Sequence, residues 1–214
     1  MNYEVVKCDV DTLNDFMFES GALPVPRAYE IKPNLKRLDK LDYTEIHITD
    51  RHFWDDPEIS RNPDFKKTFP PHAMNYTWGQ NKISETALGK PVYIYNKIAP
   101  AIHKKYSEEE LDKILKDAKE IAIEKQKTDV FSNPYADRVF RDVKKAIVYG
   151  VATDYCVKDA VMGMLERDIE VYLVTDAIRG IAENTTREEL ERMRSCGAIP
   201  VTTDDVVNRR MKFL

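Results

Sequence analysis

Four side chains able to do chemistry each follow an apolar run: Asp11, Asp50, Lys125 and Cys156. Cys156 sits in "GVATDYCVKDAV" (150–161), between the run "KKAIVY" and the helix-like "DAVMGMLERD". A cysteine in the first turn of a helix lies near the positive end of the helix dipole, which lowers its pKa and suits a nucleophile. The same position also suits a small packed residue. A second cluster lies in "DRHFWDDPEISRNPDFKKTFPPHAM" (50–74). Asp50 and His52 are one residue apart, so an extended backbone turns them to the same side. His72 follows two prolines, whose fixed φ makes its approach rigid. Asp, His and His suit Zn²⁺, Fe²⁺ or Mn²⁺. The bland alternative makes both histidines surface loop residues with acidic neighbours.

The elements that must position these groups alternate. Strands are expected at 3–10, 44–49, 91–97, 145–151, 170–175 and 198–203. Helices are expected at 28–42, with Pro33 near the start, and at 107–125, 155–167 and 186–195. The helix at 107 opens with a capping box, Ser107 followed three residues later by Glu110. Its end, "EIAIE", reads equally as a strand. Residues 50–90 show neither period and are rich in Pro, Asp, Asn and aromatics, as a functional loop would be. Alternating strands and helices predict an α/β fold, a doubly wound parallel sheet with helices on both faces in three layers. In such sheets ligands bind beyond the carboxyl ends of the strands. The four reactive residues could therefore meet in one cleft, although any α/β protein scatters some polar residues there.

The chain has 214 residues, enough for one sizeable core and short for two, so a single domain over 1–214 is expected. Hydrophobic residues make up 43% and charged residues 33%, as in globular proteins. Net charge is −4 with no basic block, which argues against nucleic acid as a partner. No apolar run approaches the roughly 20 residues needed to span a bilayer. The first residues lack the basic and apolar regions of a signal peptide. Cys8, Cys156 and Cys196 form no disulfide framework, so a reducing cytoplasm is expected. A homo-oligomer is compatible with all of this.

Taken together, these residues resemble the nicotinamidase (pyrazinamidase) family of isochorismatase-like cysteine hydrolases. "VDTLNDF" (10–16) is similar to the family's DxQxDF element, with Leu13 for Gln. "EKQKTDVFSN" (124–133) is similar to its K-x-x-x-S/D-A-F element, with Val130 for Ala, and Lys125 stands six residues before Phe131. "GVATDYCVKDA" matches the nucleophile motif. "TFPPHAM" is similar to a WPPHC-type element, with Phe69 and Ala73 substituted. Residues 88–120 read as an insertion or a divergent segment.

The resemblance implies a catalytic triad of Asp11, Lys125 and Cys156. It implies a divalent metal, Zn²⁺ first and Fe²⁺ or Mn²⁺ next, on Asp50, His52 and His72. Glu58, six residues after His52, stands where some members add a fourth ligand. The backbone N–H groups of Ala152 and Cys156 would form the oxyanion hole, with the Val151–Ala152 peptide cis. Phe16 and Phe69 adjoin motif residues and would wall a flat ring. The implied reaction is hydrolysis of nicotinamide, or pyrazinamide, through a cysteine thioester, a step of NAD salvage. Two rivals stand beside it: hydrolysis of another amide or ureido compound, and a metal-binding module without catalysis. A third is a metallohydrolase in which Cys156 is incidental. Cys8 and Cys196 read as packing, Asp154 as a cap of the helix that follows it, His47 as a core or face residue of its strand, and His103 as surface.

Overall fold

The structure is a computed structural model describing residues 4–208. In chain order its elements are strand β1 (Val5–Val10), helix α1 (Asn14–Met17), α2 (Lys32–Asp39), β2 (Thr44–Asp50) and β3 (Val92–Ile94). Next come β4 (Lys97–Ala99), β5 (Ile102–His103), α3 (Glu108–Leu115), β6 (Glu120–Lys125) and α4 (Ala136–Val139). They are followed by β7 (Lys145–Val151), α5 (Lys158–Leu165), β8 (Glu170–Arg179), α6 (Glu183–Ser195), β9 (Ile199–Val201) and α7 (Thr203–Val207). Seven strands form one sheet in the order β3-β6-β2-β1-β7-β8-β9, and every pairing in it is parallel. This is the expected α/β doubly wound architecture. After Asp50, residues 51–90 carry no regular strand, only short 3₁₀ turns at Trp78–Gln80 and Ser84–Thr86. Among the described residues no helix is long and apolar enough to cross a membrane.

Several boundaries differ from expectation. The helix expected at 107–125 stops at Leu115, and the strand reading of its end holds. The capping box at Ser107 and Glu110 forms as expected. After it, Asp117 takes a left-handed conformation with φ 60° and breaks the helix. β6 then pairs with β2 on one side and β3 on the other. The backbone bonds of two neighbours outweigh the helical period that the sequence extends through Ile121. The helix expected at 28–42 divides at Pro33, which lies in the first turn of α2, and a 3₁₀ turn covers Ala28–Ile31. Proline lacks the N–H that a helix interior needs, so α2 starts where that loss costs nothing. The strand expected at 3–10 is β1; Tyr3 lies outside the described residues.

The strands feed two cores, one on each sheet face. Val6, Cys8 and Val10 of β1 pack on one face with Ile46, Ile48, Ile121, Ile123 and Val148. On the other face Ile147, Tyr149 and Val151 pack beneath α2. Lys7 and Asp9 interrupt the apolar pattern of β1 because they face that second side with Glu45 and His47. There Lys7 Nζ meets Glu45 at 2.9 Å and the Asp39 carbonyl at 2.6 Å. Lys82 pairs with Asp9, and Tyr149 donates to Glu45 at 2.9 Å. Gly150 makes the close approach of β7 to β1 feasible: at φ 120°, a Cβ there would lie 2.0 Å from the Val10 carbonyl oxygen.

Candidate active site and metal centre

The carboxyl ends of β1, β2, β6 and β7 converge, as the topology predicts. Asp11 follows β1 directly in a left-handed conformation, φ 48°, and its carboxylate accepts the Asp50 N–H at 2.7 Å. Asp50 closes β2 and stands opposite Lys125, which closes β6, in the parallel register. Their side chains therefore share one face. Lys125 Nζ lies 2.8 Å from Asp11, 2.5 Å from Asp50 and 3.3 Å from Cys156 Sγ. Cys156 falls in a π-helical turn, Thr153–Val157, just before α5, rather than in the first turn of the α-helix itself. The Val151–Ala152 peptide is cis.

Electrostatics follow from burial. Lys125 has 0% exposure and Asp11 1%. Burial disfavours the lysine's charge, but Asp11 and Asp50 outweigh it and hold the ammonium protonated well above the usual range. Burial pushes Asp11 up, Asp50 pushes further, and Lys125 only partly offsets them. Asp50 is also buried, yet Lys125 and the histidines hold it well below the ordinary carboxylate value. Burial pushes the Cys156 thiol well up, against the pull of Lys125. The resting pair is thus a neutral thiol beside an ionised lysine.

The metal loop folds so that two short extended segments meet. The His52 N–H donates to the Ala73 carbonyl at 3.0 Å, and the Asn75 N–H to the His52 carbonyl at 2.9 Å. This register places the His52 and His72 rings 4.6 Å apart. Ligand atoms of Asp50, His52 and His72 all lie within 4.8 Å of one another, and all three residues are buried. Each imidazole commits Nδ1 to an acceptor: His72 to the Pro70 carbonyl at 2.7 Å, His52 to Asp56 at 3.3 Å. Each Nε2 then faces Asp50 Oδ2, at 3.7 Å from His72 and 3.8 Å from His52, too far for a hydrogen bond. His52 Nε2 has no hydrogen-bond partner although it is buried. An orphaned, buried nitrogen and an ionised carboxylate around one point fit a divalent cation with N/O ligands. Another buried group of carboxylate and histidine, Asp9, Glu45 and His47, also leaves a histidine nitrogen, Nδ1, without a partner, but it offers a single imidazole and both of its carboxylates already meet a lysine, Lys82 and Lys7.

Glu58 is half-buried and lines the same cavity. Its carboxylate does not join the group whose atoms all lie within 4.8 Å. Burial, and then Asp50, raise its pKa. Phe16 and Phe69 are buried, with ring centroids 5.5 Å and 6.0 Å from His72. They wall a cavity of about 130 Å³ whose lining includes Asp11, Asp50, His72, Ala152 and Cys156.

Two expectations are corrected. Asp154 does not cap its own helix: its carboxylate accepts the Ile181 N–H at 2.9 Å, the Ala182 N–H at 3.3 Å and the Thr185 hydroxyl at 2.6 Å, closing the start of α6. Cys196 is exposed rather than packed; Cys8 is buried as expected. Sequence reasoning assigns no role to the contact of Asp56 with His52, to Lys97, or to the cavity wall of Leu23, Val25, Tyr155 and Ile181. Asp56 stands four residues after His52, a spacing that invites a side-chain contact; Lys97 carries no such local signal.

Comparison with known proteins adds four findings. Residues 97–205 match the family described as Isochorismatase domain. A 67-residue stretch is 31% identical to Isochorismatase family protein 1B of Dictyostelium discoideum, covering 31% of this chain and 32% of that protein. The match thus spans about a third of that relative's length. By structure, the chain is similar to pyrazinamidase of Pyrococcus horikoshii in complex with zinc, with a TM-score of 0.69 at 23% identity over 93% of this chain and 99% of that one. It is also similar to N-carbamoylsarcosine amidase from Thermoplasma acidophilum, with a TM-score of 0.67 at 21% identity over 94% of this chain and 97% of that one.

Proposed function

The chain belongs to the isochorismatase domain family, and from that premise we propose that it is a cysteine amidohydrolase acting on nicotinamide, or on a close neutral heteroaromatic amide. The observation that carries this reading is that Cys156 and Asp11 line a cavity that also presents Asp50 and His72, with the buried Lys125 in contact with both of them. Converting nicotinamide to nicotinate would feed NAD salvage.

An amide is a poor electrophile with a poor leaving group, so two steps through a thioester are easier than one. The Cys156 thiol is neutral at rest and needs a base. Asp11, whose pKa is raised by burial, accepts the thiol proton. The thiolate then attacks the carboxamide carbon. Backbone N–H groups of Ala152 and Cys156 meet the oxyanion charge. Asp11 returns its proton to the departing nitrogen, and ammonia leaves. Asp11 next takes a proton from water, which attacks the thioester carbon; the acid departs and the thiol is restored. Lys125 keeps Asp11 oriented and lowers the cost of the thiolate. Asp50, His52 and His72 would hold a divalent cation, which would supply a Lewis-acid point for the ring nitrogen of the substrate.

The lining favours a neutral, flat substrate. Phe16, Leu23, Val25 and Phe69 are apolar, the lining holds no lysine or arginine among the described residues, and Lys125 behind Asp11 and Cys156 is held between two carboxylates. Among the described residues, a substrate bearing its own carboxylate would find no free lysine or arginine there. Of the four positions that depart from the resembled motifs, Leu13, Ala73 and Val130 are buried outside the cavity lining, and only Phe69 faces it. Leu13, Ala73 and Val130 therefore bear little on substrate choice, whereas Phe69 can bear on it.

The test is kcat/KM for nicotinamide, pyrazinamide and benzamide at fixed metal content. Benzamide keeps the ring shape and the carboxamide but lacks the nitrogen. A site built around a polar contact penalises its loss by on the order of 10²-fold or more. Comparable values for benzamide and nicotinamide would move the assignment to a general amidase. No ammonia release from any of the three amides would overturn the nicotinamide reading and leave a hydrolase of another amide or ureido compound, or a module without catalysis.

A further inference from the structure

We propose that Lys97 and Asp56 form a positioning relay that holds His52 as a metal ligand. Lys97 comes from β4, within the 88–120 stretch whose role the sequence leaves open. Its side chain is 5% exposed, and its Nζ meets Asp56 Oδ1 at 2.6 Å and Asp55 Oδ1 at 2.7 Å. The other oxygen of Asp56 accepts the Phe53 N–H at 2.7 Å and faces His52 Nδ1 at 3.3 Å. The line of contacts therefore runs Lys97, Asp56, His52, and ends at the orphaned Nε2 beside Asp50. A carboxylate on Nδ1 fixes the tautomer with its lone pair on Nε2, aims the ring and makes the nitrogen a stronger donor to a metal. Asp56 is itself 3% exposed as a side chain. Without Lys97 it would be a buried negative charge lacking a cation, and it would turn away or take up a proton. Lys97 is also tied to the strand end through its carbonyl, which accepts from Arg51 at 3.4 Å. His72 does not depend on this relay, since the Pro70 carbonyl holds its Nδ1.

This inference rests on the metal role proposed for Asp50, His52 and His72, and its test separates the two. Zinc affinity of the full chain is measured by competition with a chromogenic chelator, and cobalt absorption reports the ligand geometry. Lys97→Met and Asp56→Asn are expected to weaken zinc binding about 10–100-fold, the usual cost of losing an outer partner of a ligating histidine, and to alter the cobalt spectrum. Lys97→Arg, which keeps the charge, is expected to recover most of the affinity. Asp55→Asn loses a carboxylate on Lys97 that does not reach His52, and is expected to keep wild-type affinity. If Lys97→Met does not fold, Asp56→Asn decides alone. Wild-type zinc affinity in Asp56→Asn and in folded Lys97→Met would reduce the relay to a staple between β4 and the loop and overturn this proposal. Absence of zinc binding by the wild-type chain would instead overturn the metal site itself.

Discussion

Opposing influences act on Cys156. Burial and two nearby carboxylates resist the thiolate, and Lys125 favours it. The first group prevails, so the thiol depends on Asp11 to lose its proton. Cys8 lies in the sheet core, away from the cavity, and Cys196 is exposed. Cys156→Ala is therefore expected to lose essentially all ammonia release while Cys8→Ala and Cys196→Ala retain it; substantial turnover without Cys156 would point to the metallohydrolase reading. Lys125 carries a second consequence. It is the cation between two buried carboxylates, at 2.8 Å and 2.5 Å. Removing one partner from such a group costs about 3–5 kcal/mol, because uncompensated charge stays buried. Lys125→Met should lower the denaturation midpoint of the metal-free protein accordingly, and an unchanged midpoint would mean that the carboxylates share a proton instead.

At the scale of elements, the edge of the sheet hangs on Glu120, the first residue of β6. Its carboxylate accepts the Gly89 N–H at 2.7 Å and the Lys90 N–H at 2.6 Å, and meets His47 at 3.2 Å. These contacts tie the turn before β3 to the strand that β3 pairs with. Burial raises the Glu120 pKa, but His47 and the two N–H groups prevail and bring it to about 2. A folded-state pKa below the unfolded one stabilises the fold at pH above the unfolded value, roughly 4.3. That contribution fades as pH falls through about 2. Glu120→Gln should thus cost about 1–2 kcal/mol at pH 7, a range set by charge-assisted hydrogen bonds with partial solvent screening. Wild type and variant should converge near pH 2 in denaturant titrations. A constant difference across that range would assign the loss to packing.

Over the whole molecule, the metal site joins distant parts of the chain. Asp50 ends a central strand, and His52 and His72 come from a loop without regular strands, so a bound ion clips that loop to the sheet. A ligand bound only by the folded state stabilises it by RT ln(1 + [L]/Kd), about 4 kcal/mol at a thousandfold excess over Kd. For a domain of this size each kcal/mol moves the melting temperature by about 2–4 °C. Zinc should then raise it by roughly 8–16 °C, and a chelator should reverse the rise. Identical melts with zinc and with chelator would deny the loop this clip.

The amino-acid sequence determined what depends on near neighbours. The capping box of Ser107 and Glu110 closes within one turn, and the D-x-H spacing turns Asp50 and His52 together over two residues. Strand order of type made the carboxyl ends of the parallel sheet the place to look, and Asp11, Asp50, Lys125 and Cys156 do meet there. Tertiary structure decided whatever needed a distant partner. β6 is a strand because β2 and β3 flank it, not because "EIAIEK" excludes a helix. Asp154 serves a helix other than its own because the turn after β8 lies against it. Asp9 and Asp50 each sit in a buried group of carboxylate and histidine, and each group leaves a histidine nitrogen bare, but only the fold shows that two lysines meet the first group and that two imidazoles face one carboxylate in the second. Charge compensation in a buried site acts between residues tens of positions apart, and no local pattern in a single sequence carries that distance.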